Sequence, residues 1–120
     1  MKNEADVKKQ VKKILKPYLP QLHLDMPPAA MYGVVGRHDF IVCQRGLFWT
    51  IETKFGHNVP NDNQINYAND VRDAGGMSVM INERNIELAK DIADYIVETW
   101  SLPYHLSHDF NQWRKNASKK

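Results

Sequence analysis

One cysteine, Cys43, stands in a chain of 120 residues, and that scarcity excludes several classes of protein. A single thiol cannot build a disulfide framework, and without a Cys-x-x-Cys pair there is no ribbon or finger type of zinc site. An intracellular, reducing compartment, the cytoplasm, is the expected setting. Long apolar runs are missing too. Nothing approaches the roughly 18 consecutive apolar residues that a membrane span needs, so no membrane partner is expected. The N-terminus is lysine-rich and lacks an apolar run followed by a small-residue cleavage site, so it does not read as a signal peptide. No internal repeat is visible. What is present, 42% hydrophobic residues in 120, suffices for a single domain, residues 1–120, with one modest core.

The formal charge of +2 hides a division along the chain. Residues 1–20 carry +4, residues 21–103 carry −5 and residues 104–120 carry +3. Basic ends around an acidic middle suit a polyanion gripped at the flanks of a metal-binding centre; lysine-rich termini that keep a small protein soluble would give the same pattern.

Hydrophobic spacing predicts a helix over 4–16, with Val7, Val11, Ile14 and Leu15 on one face and Lys8, Lys9, Lys12, Lys13 and Lys16 on the other. Pro17 and Pro20 stop it, and 21–28 reads as loop. Strands are expected over 29–35, 39–43 and 47–54, the last two joined through Gln44-Arg45-Gly46 as a hairpin. Asn61 reads as the N-cap of a helix reaching about Ala74, with Ile65, Ala68 and Val71 on one face, and Gly75-Gly76 ends it. Met77–Ile81 is a compact apolar run expected as a buried strand. A long helix over about 84–100 follows, closed by Pro103. The tail, 104–120, is expected to hold a short helix capped by Ser107 or Asp109, with Phe110 and Trp113 facing inward. The order describes an α/β domain: a mixed sheet flanked by helices.

The chemistry concentrates in the hairpin. Cleavage of a phosphodiester in water needs charge neutralised on the phosphate, an activated water and fixed geometry. Two carboxylates on neighbouring strands can hold a hard cation such as Mg²⁺, and a nearby lysine can orient or deprotonate the water. Asp39 opens one strand after Gly36-Arg37-His38. Glu52 lies near the end of the next, and Lys54, two positions on, shares its face while Thr53 points away and can offer its carbonyl. Phe48, Trp49 and Ile51 make the rest of that strand core-like, and charges ending such a strand are costly unless they serve a site.

Gly36-Arg37-His38-Asp39-Phe40, then Ile51-Glu52-Thr53-Lys54, then Gln64, then Gly75-Gly76 resemble the PD-(D/E)XK nuclease superfamily, and more closely its VRR-NUC (virus-type replication-repair nuclease) branch. The resemblance covers residues 29–97 and implies a restriction-endonuclease-like αβββαβ core. It implies Asp39 and Glu52 as metal ligands with the Thr53 carbonyl, Lys54 as the water-positioning base, and Gln64 as support from the adjoining helix. Glu4 matches a carboxylate that related nucleases place beside the metal. His38 departs from the pattern, which usually has proline there; contact with DNA or a part in proton transfer is its expected role. Stand-alone chains of this size resemble phage-encoded enzymes that pair as homodimers and resolve branched DNA such as four-way junctions. The resemblance therefore implies a Mg²⁺-dependent endodeoxyribonuclease, with Mn²⁺ as substitute. Nicking, flap or restriction-type cleavage by the same core, or a catalytically idle DNA-binding accessory, are the alternatives.

Each of these residues has a plainer reading. Asp39 could open a strand as a turn residue, and Glu52 with Lys54 could be an exposed edge-strand ion pair. Asn61 and Gln64, three apart, match a capping box, and Glu4 suits a helix N-terminus. Lysines 8, 9, 12, 13 and 16 fit either a solvated face or phosphate contacts, to which Arg37 and His38 would add. His105 and His108 lack a third zinc ligand. Trp49, Trp100 and Trp113 read as core or interface anchors, with Phe110, Trp113 and Trp100 as candidate dimer contacts. Cys43 reads as a buried strand residue.

Overall fold

A computed structural model describes residues 1–28 and 35–118. Helix α1, Glu4–Leu15, begins at Asn3, whose side chain accepts from the Asp6 N–H, and buries Val7, Val11 and Leu15 at four-residue spacing. A short 3₁₀ turn, Lys16–Tyr18, follows at the first proline. Strand β1 is Leu22–Asp25, β2 Phe40–Gln44 and β3 Leu47–Thr53; α2 is Asp62–Asp73, β4 Met77–Ile81, α3 Leu88–Thr99 and α4 Phe110–Ala117. The four strands stand in the order β1-β2-β3-β4, antiparallel except for the parallel pair β3 and β4, which α2 connects. This is the expected mixed α/β sheet.

Alternation along the strands sorts the two faces. Trp49, Ile51, Met77, Val79 and Ile81 join Val7, Val11 and Leu15 of α1 and Ile92, Ala93 and Ile96 of α3 in the main core. Met80 turns the other way, to Ile65 and Ala68 of α2 and Phe110 of α4. Parallel β3 and β4 are thus covered on both faces, as parallel pairs generally are.

Three expectations need correction. The first strand lies at 22–25, in the stretch read as loop. It is four residues long with only Leu22 buried, and its existence depends on pairing with β2 rather than on its own pattern. Of the strand expected over 29–35, residues 29–34 fall outside the described residues, and Val35 sits in a turn. Second, α3 starts at Leu88, not near Arg84. The Asn82 carboxamide accepts from the Arg84 N–H, while Asn85 accepts from the Asn82 N–H and donates to the Met80 carbonyl. Those side chains compete with helix formation. Third, Cys43 is exposed and Gln44 is the buried residue, donating to the Ala93 carbonyl. The hairpin turn is only Arg45-Gly46, both at positive φ (53° and 77°), and its register sets Phe40, Val42 and Gln44 inward. Such φ values define the two-residue turn that matches strand twist.

The tail closes one side of the sheet. The His108 N–H donates to the Ser78 carbonyl, and the Met80 N–H donates to His108 Nδ1, so residues after α3 lie along β4. Asp109 caps α4, Phe110 is buried and Trp113 is half-buried upon the same cluster. Phe110 is therefore core and unavailable as a dimer contact. Trp100 is 66% exposed, at a left-handed helix end, with the Arg45 guanidinium 3.9 Å from its ring centroid.

Gly36 is where the approach to β2 meets α2. It has φ +83°, and a Cβ added there would lie 2.5 Å from the Asn63 backbone carbonyl. Gly36→Ala should therefore destabilise the fold by about 2–4 kcal/mol, read from the urea midpoint, because backbone must move as well as accept strain. A loss below about 0.5 kcal/mol would mean that this contact is not kept in solution.

Candidate active site

The parallel strand β3 ends where β2 begins, and that corner gathers the charged residues. The last antiparallel pair is Phe40 with Ile51, so one step beyond it Asp39 faces Glu52. Asp39 Oδ2 accepts from the Thr53 N–H at 2.9 Å and from the Thr53 hydroxyl at 2.6 Å. The strand pleat alone turns the Thr53 side chain away from the site; instead it fixes the Asp39 carboxylate, a role that nothing in the local pattern signals. Lys8 Nζ lies 3.1 Å from Asp39 Oδ1. Burial works against the Lys8 charge, yet Asp39 outweighs it and raises the lysine's pKa. Of the lysines in and just after α1, Lys8 belongs to the corner itself, whereas Lys9, Lys12, Lys13 and Lys16 are exposed.

Glu52 is 2% exposed. Its Oε2 accepts from Gln64 Nε2 at 3.0 Å and pairs with Lys54 Nζ at 3.4 Å, while Oε1 is buried with no hydrogen-bond partner among the described residues. Burial, with the Asp39 charge nearby, pushes the Glu52 carboxyl up to about 8; Lys54 opposes the shift and Glu4 adds to it. The reading of Glu52 and Lys54 as an exposed edge pair is excluded, since β3 is central in the sheet and Lys54 is itself only 14% exposed.

Gln64 removes an apparent choice between two roles. Its Oε1 accepts from the Asn61 N–H, completing a capping box, while its Nε2 donates to Glu52. One carboxamide caps α2 and grips the acid, because its oxygen and nitrogen face different partners.

His38 lies beneath this corner and is fully buried. A carbonyl can only accept, so Nε2–H donates to the Gln64 carbonyl (2.9 Å), Nδ1 accepts from the Thr50 hydroxyl (2.7 Å), and Thr50 accepts from Ser78 (2.6 Å). The ring stacks on Phe110 and meets Tyr67 edge-on, and burial lowers its pKa to about 4. Contact with DNA is therefore ruled out for His38: neutral and enclosed, it anchors the first turn of α2, the turn that carries Gln64. The signal lay in Thr50 and Ser78, two hydroxyls inside otherwise apolar strands that required a polar partner. Arg37 is half-buried, with its Nε unpaired.

No cluster of three or more His, Cys, Asp or Glu among the described residues could hold a metal by side chains alone. The corner nevertheless suits a hard cation. It offers two carboxylates, one with a buried oxygen that nothing among the described residues satisfies, and an ammonium already rests against the other. The remaining ligands would be carbonyl, water or phosphate oxygens, as such ions prefer.

Fold and corner together define a class: an α/β sheet in which an Asp and a Glu-x-Lys strand converge beside a helix N-terminus. No family model matches the sequence, and no curated protein matches it. A solved structure described as a VRR_NUC domain does match, with 19% identity and a TM-score of 0.57 over 82% of this chain and 97% of that one. The chain has the fold of a VRR_NUC domain, over nearly the whole of that domain's length.

The raised Glu52 pKa makes a pH signature. In the unfolded chain Glu52 titrates near 4.5 and in the folded, cation-free protein near 8. Its contribution is intact below about 4.5 and is lost as pH rises through 8. In EDTA, wild type should therefore lose stability between pH 5 and pH 8 relative to Glu52→Gln, by on the order of a few kcal/mol. Parallel melting temperatures of the two proteins across that window would contradict the shift.

Proposed function

We propose that this chain is a divalent-metal-dependent endodeoxyribonuclease of the PD-(D/E)XK type. The observation that carries the reading is Glu52: a carboxyl 2% exposed, with one oxygen unsatisfied, opposite Asp39 and beside Lys54. A fold keeps so costly an arrangement where it serves a function. Asp39, Glu52 and the Thr53 carbonyl would hold Mg²⁺, or Mn²⁺ in its place, with Glu4 as an outer carboxylate. The cation supplies positive charge against the phosphate and makes nearby water more acidic.

The chain's own residues do the rest. Thr53 keeps Asp39 in one orientation through two hydrogen bonds, and Gln64 does the same for Glu52. Lys54 orients the attacking water and takes part in its deprotonation. Lys8, beside Asp39, meets the phosphate, and Lys9, Lys12, Lys13, Lys16 and Arg37 extend the contact along the backbone. Water attacks phosphorus, the bond to the 3′ oxygen breaks, and the products are a 5′-phosphate and a 3′-hydroxyl. Branched DNA is the proposed substrate and a homodimer the proposed form, because two sites related by a two-fold axis cut two strands symmetrically. The cytoplasm is the proposed setting for this activity; among the described residues no helix is long and apolar enough to cross a membrane.

Supercoiled plasmid should be nicked in Mg²⁺ and not in EDTA, and Asp39→Ala or Lys54→Ala should cut nicking by about 10²–10⁴-fold while DNA binding persists in shift assays. A wild type that binds DNA but never cuts with Mg²⁺ or Mn²⁺ would make this an accessory binding protein. Replacing Lys9, Lys12, Lys13 and Lys16 by Gln should flatten the slope of log affinity against log salt by roughly 0.9 for each phosphate that a lysine no longer neutralises. An unchanged slope would remove α1 from the interface.

A further inference from the structure

The loops that leave the C-terminal ends of β3 and β4, together with α4, border a half-open cavity of about 410 Å³ that the catalytic corner does not use. Its walls are His57 and Asn58 after β3, Asn82 and Arg84 after β4, and Trp113 and Asn116 on α4. The crevice beyond the ends of parallel strands is where open α/β sheets receive ligands. The loops are braced: the Gly56 N–H donates to the Glu83 carboxylate, and Arg84 donates to the Gly56 carbonyl.

The lining has a definite chemistry. Asn82 is 4% exposed and uses its Oδ1 on the Arg84 N–H, with no partner for Nδ2 among the described residues. Asn116 likewise accepts from Gln112 through Oδ1 and keeps Nδ2 free. Arg84 pairs through its two terminal nitrogens, not through Nε. Side chains with donors left over therefore line the space beside an indole, and among the described residues no carboxylate lines it. That combination matches a flat ring with an acceptor-rich edge, hydrogen-bonded at its rim and stacked on an aromatic side chain, within a negatively charged chain. A nucleobase fits this description. A base that is still paired and stacked in a duplex cannot reach into a recess walled by two loops and a helix.

Gly56 lies two residues beyond Lys54, at most about 8 Å along the chain at 3.80 Å per step. Nucleotides in one stacked strand advance about 3.4 Å each, so the Gly56 wall of the cavity lies within about two nucleotide steps of Lys54. Resting on the nuclease reading, we infer that this cavity binds a single unpaired nucleobase beside the scissile phosphate, so that the substrate is DNA with an unpaired nucleotide at the cut.

The test uses the full chain in EDTA, where binding is read without cleavage. Two fluorescent duplexes are compared, one with a single-nucleotide bulge and one with an abasic residue at the same bulge. The base should improve affinity by about 5- to 100-fold, the range that stacking of one base provides. Asn58→Ala/Asn116→Ala, on two exposed positions, should reduce that preference and leave affinity for the abasic duplex unchanged. Trp113→Leu, checked for folding by its melting curve, should do the same. Equal binding of the two duplexes by a protein that nicks plasmid in Mg²⁺ overturns the cavity assignment and leaves the nuclease reading standing. A protein that neither binds nor nicks DNA overturns both. A double variant that weakens both duplexes equally assigns those residues to the phosphate backbone and overturns the base pocket.

Discussion

Burying the Glu52 carboxyl is costly, and the surrounding structure is arranged to keep that group in one place. Gln64 reaches it from α2, Lys54 from just past the end of β3, and the Asp39 charge from just before β2. Each of those groups is held in turn. Asp39 is fixed by Thr53, and Gln64 by the capping box with Asn61 and by the His38 bond to its carbonyl. The chain of dependence runs from hydroxyls in β3 and β4, through a neutral imidazole, to the first turn of a helix. It ends on an acid whose second oxygen is left unpaired. On the proposed reading, that oxygen is the one kept for a cation.

The same scaffold explains how a buried histidine can stand in the turn before Asp39, where the sequence resemblance leads us to expect proline. Proline would shape the turn before Asp39 through its fixed φ. Here Gly36 permits the close approach to α2, and His38 ties that approach down by bonding across it. Burial keeps the ring neutral, so it supplies one donor and one acceptor and adds no charge next to the carboxylates.

Elements governed by local rules were readable from the sequence. Helix α1 followed its apolar spacing, α2 followed Asn61 and Gly75, and β4 followed an unbroken apolar run. The β2–β3 hairpin followed from two apolar strands around Arg45-Gly46. What escaped was set by partners distant in sequence. Strand β1 has almost no pattern of its own and exists because β2 pairs with it. The start of α3 was displaced by side chains of Asn82 and Asn85 bonding to backbone, which composition does not reveal. In the corner, the convergence of Asp39, Glu52 and Lys54 was legible from strand periodicity. The grip of Thr53 and Lys8 on Asp39 was not, since a threonine beside an acid and a lysine on a basic helix look ordinary until the fold brings them together.

The segment carrying His108 has a consequence for association between chains. By bonding to Ser78 and Met80 it occupies backbone groups along the outer side of β4, so another chain's strand cannot add there. Among the described residues, β1 is left as the side at which the sheet could be continued, and its four residues present His23 and Asp25 to solvent. Any pairing of copies by strand addition would therefore join two β1 edges, and the two corners where Asp39 meets Glu52, each at a β2–β3 pair, would stand apart with both β1 strands between them.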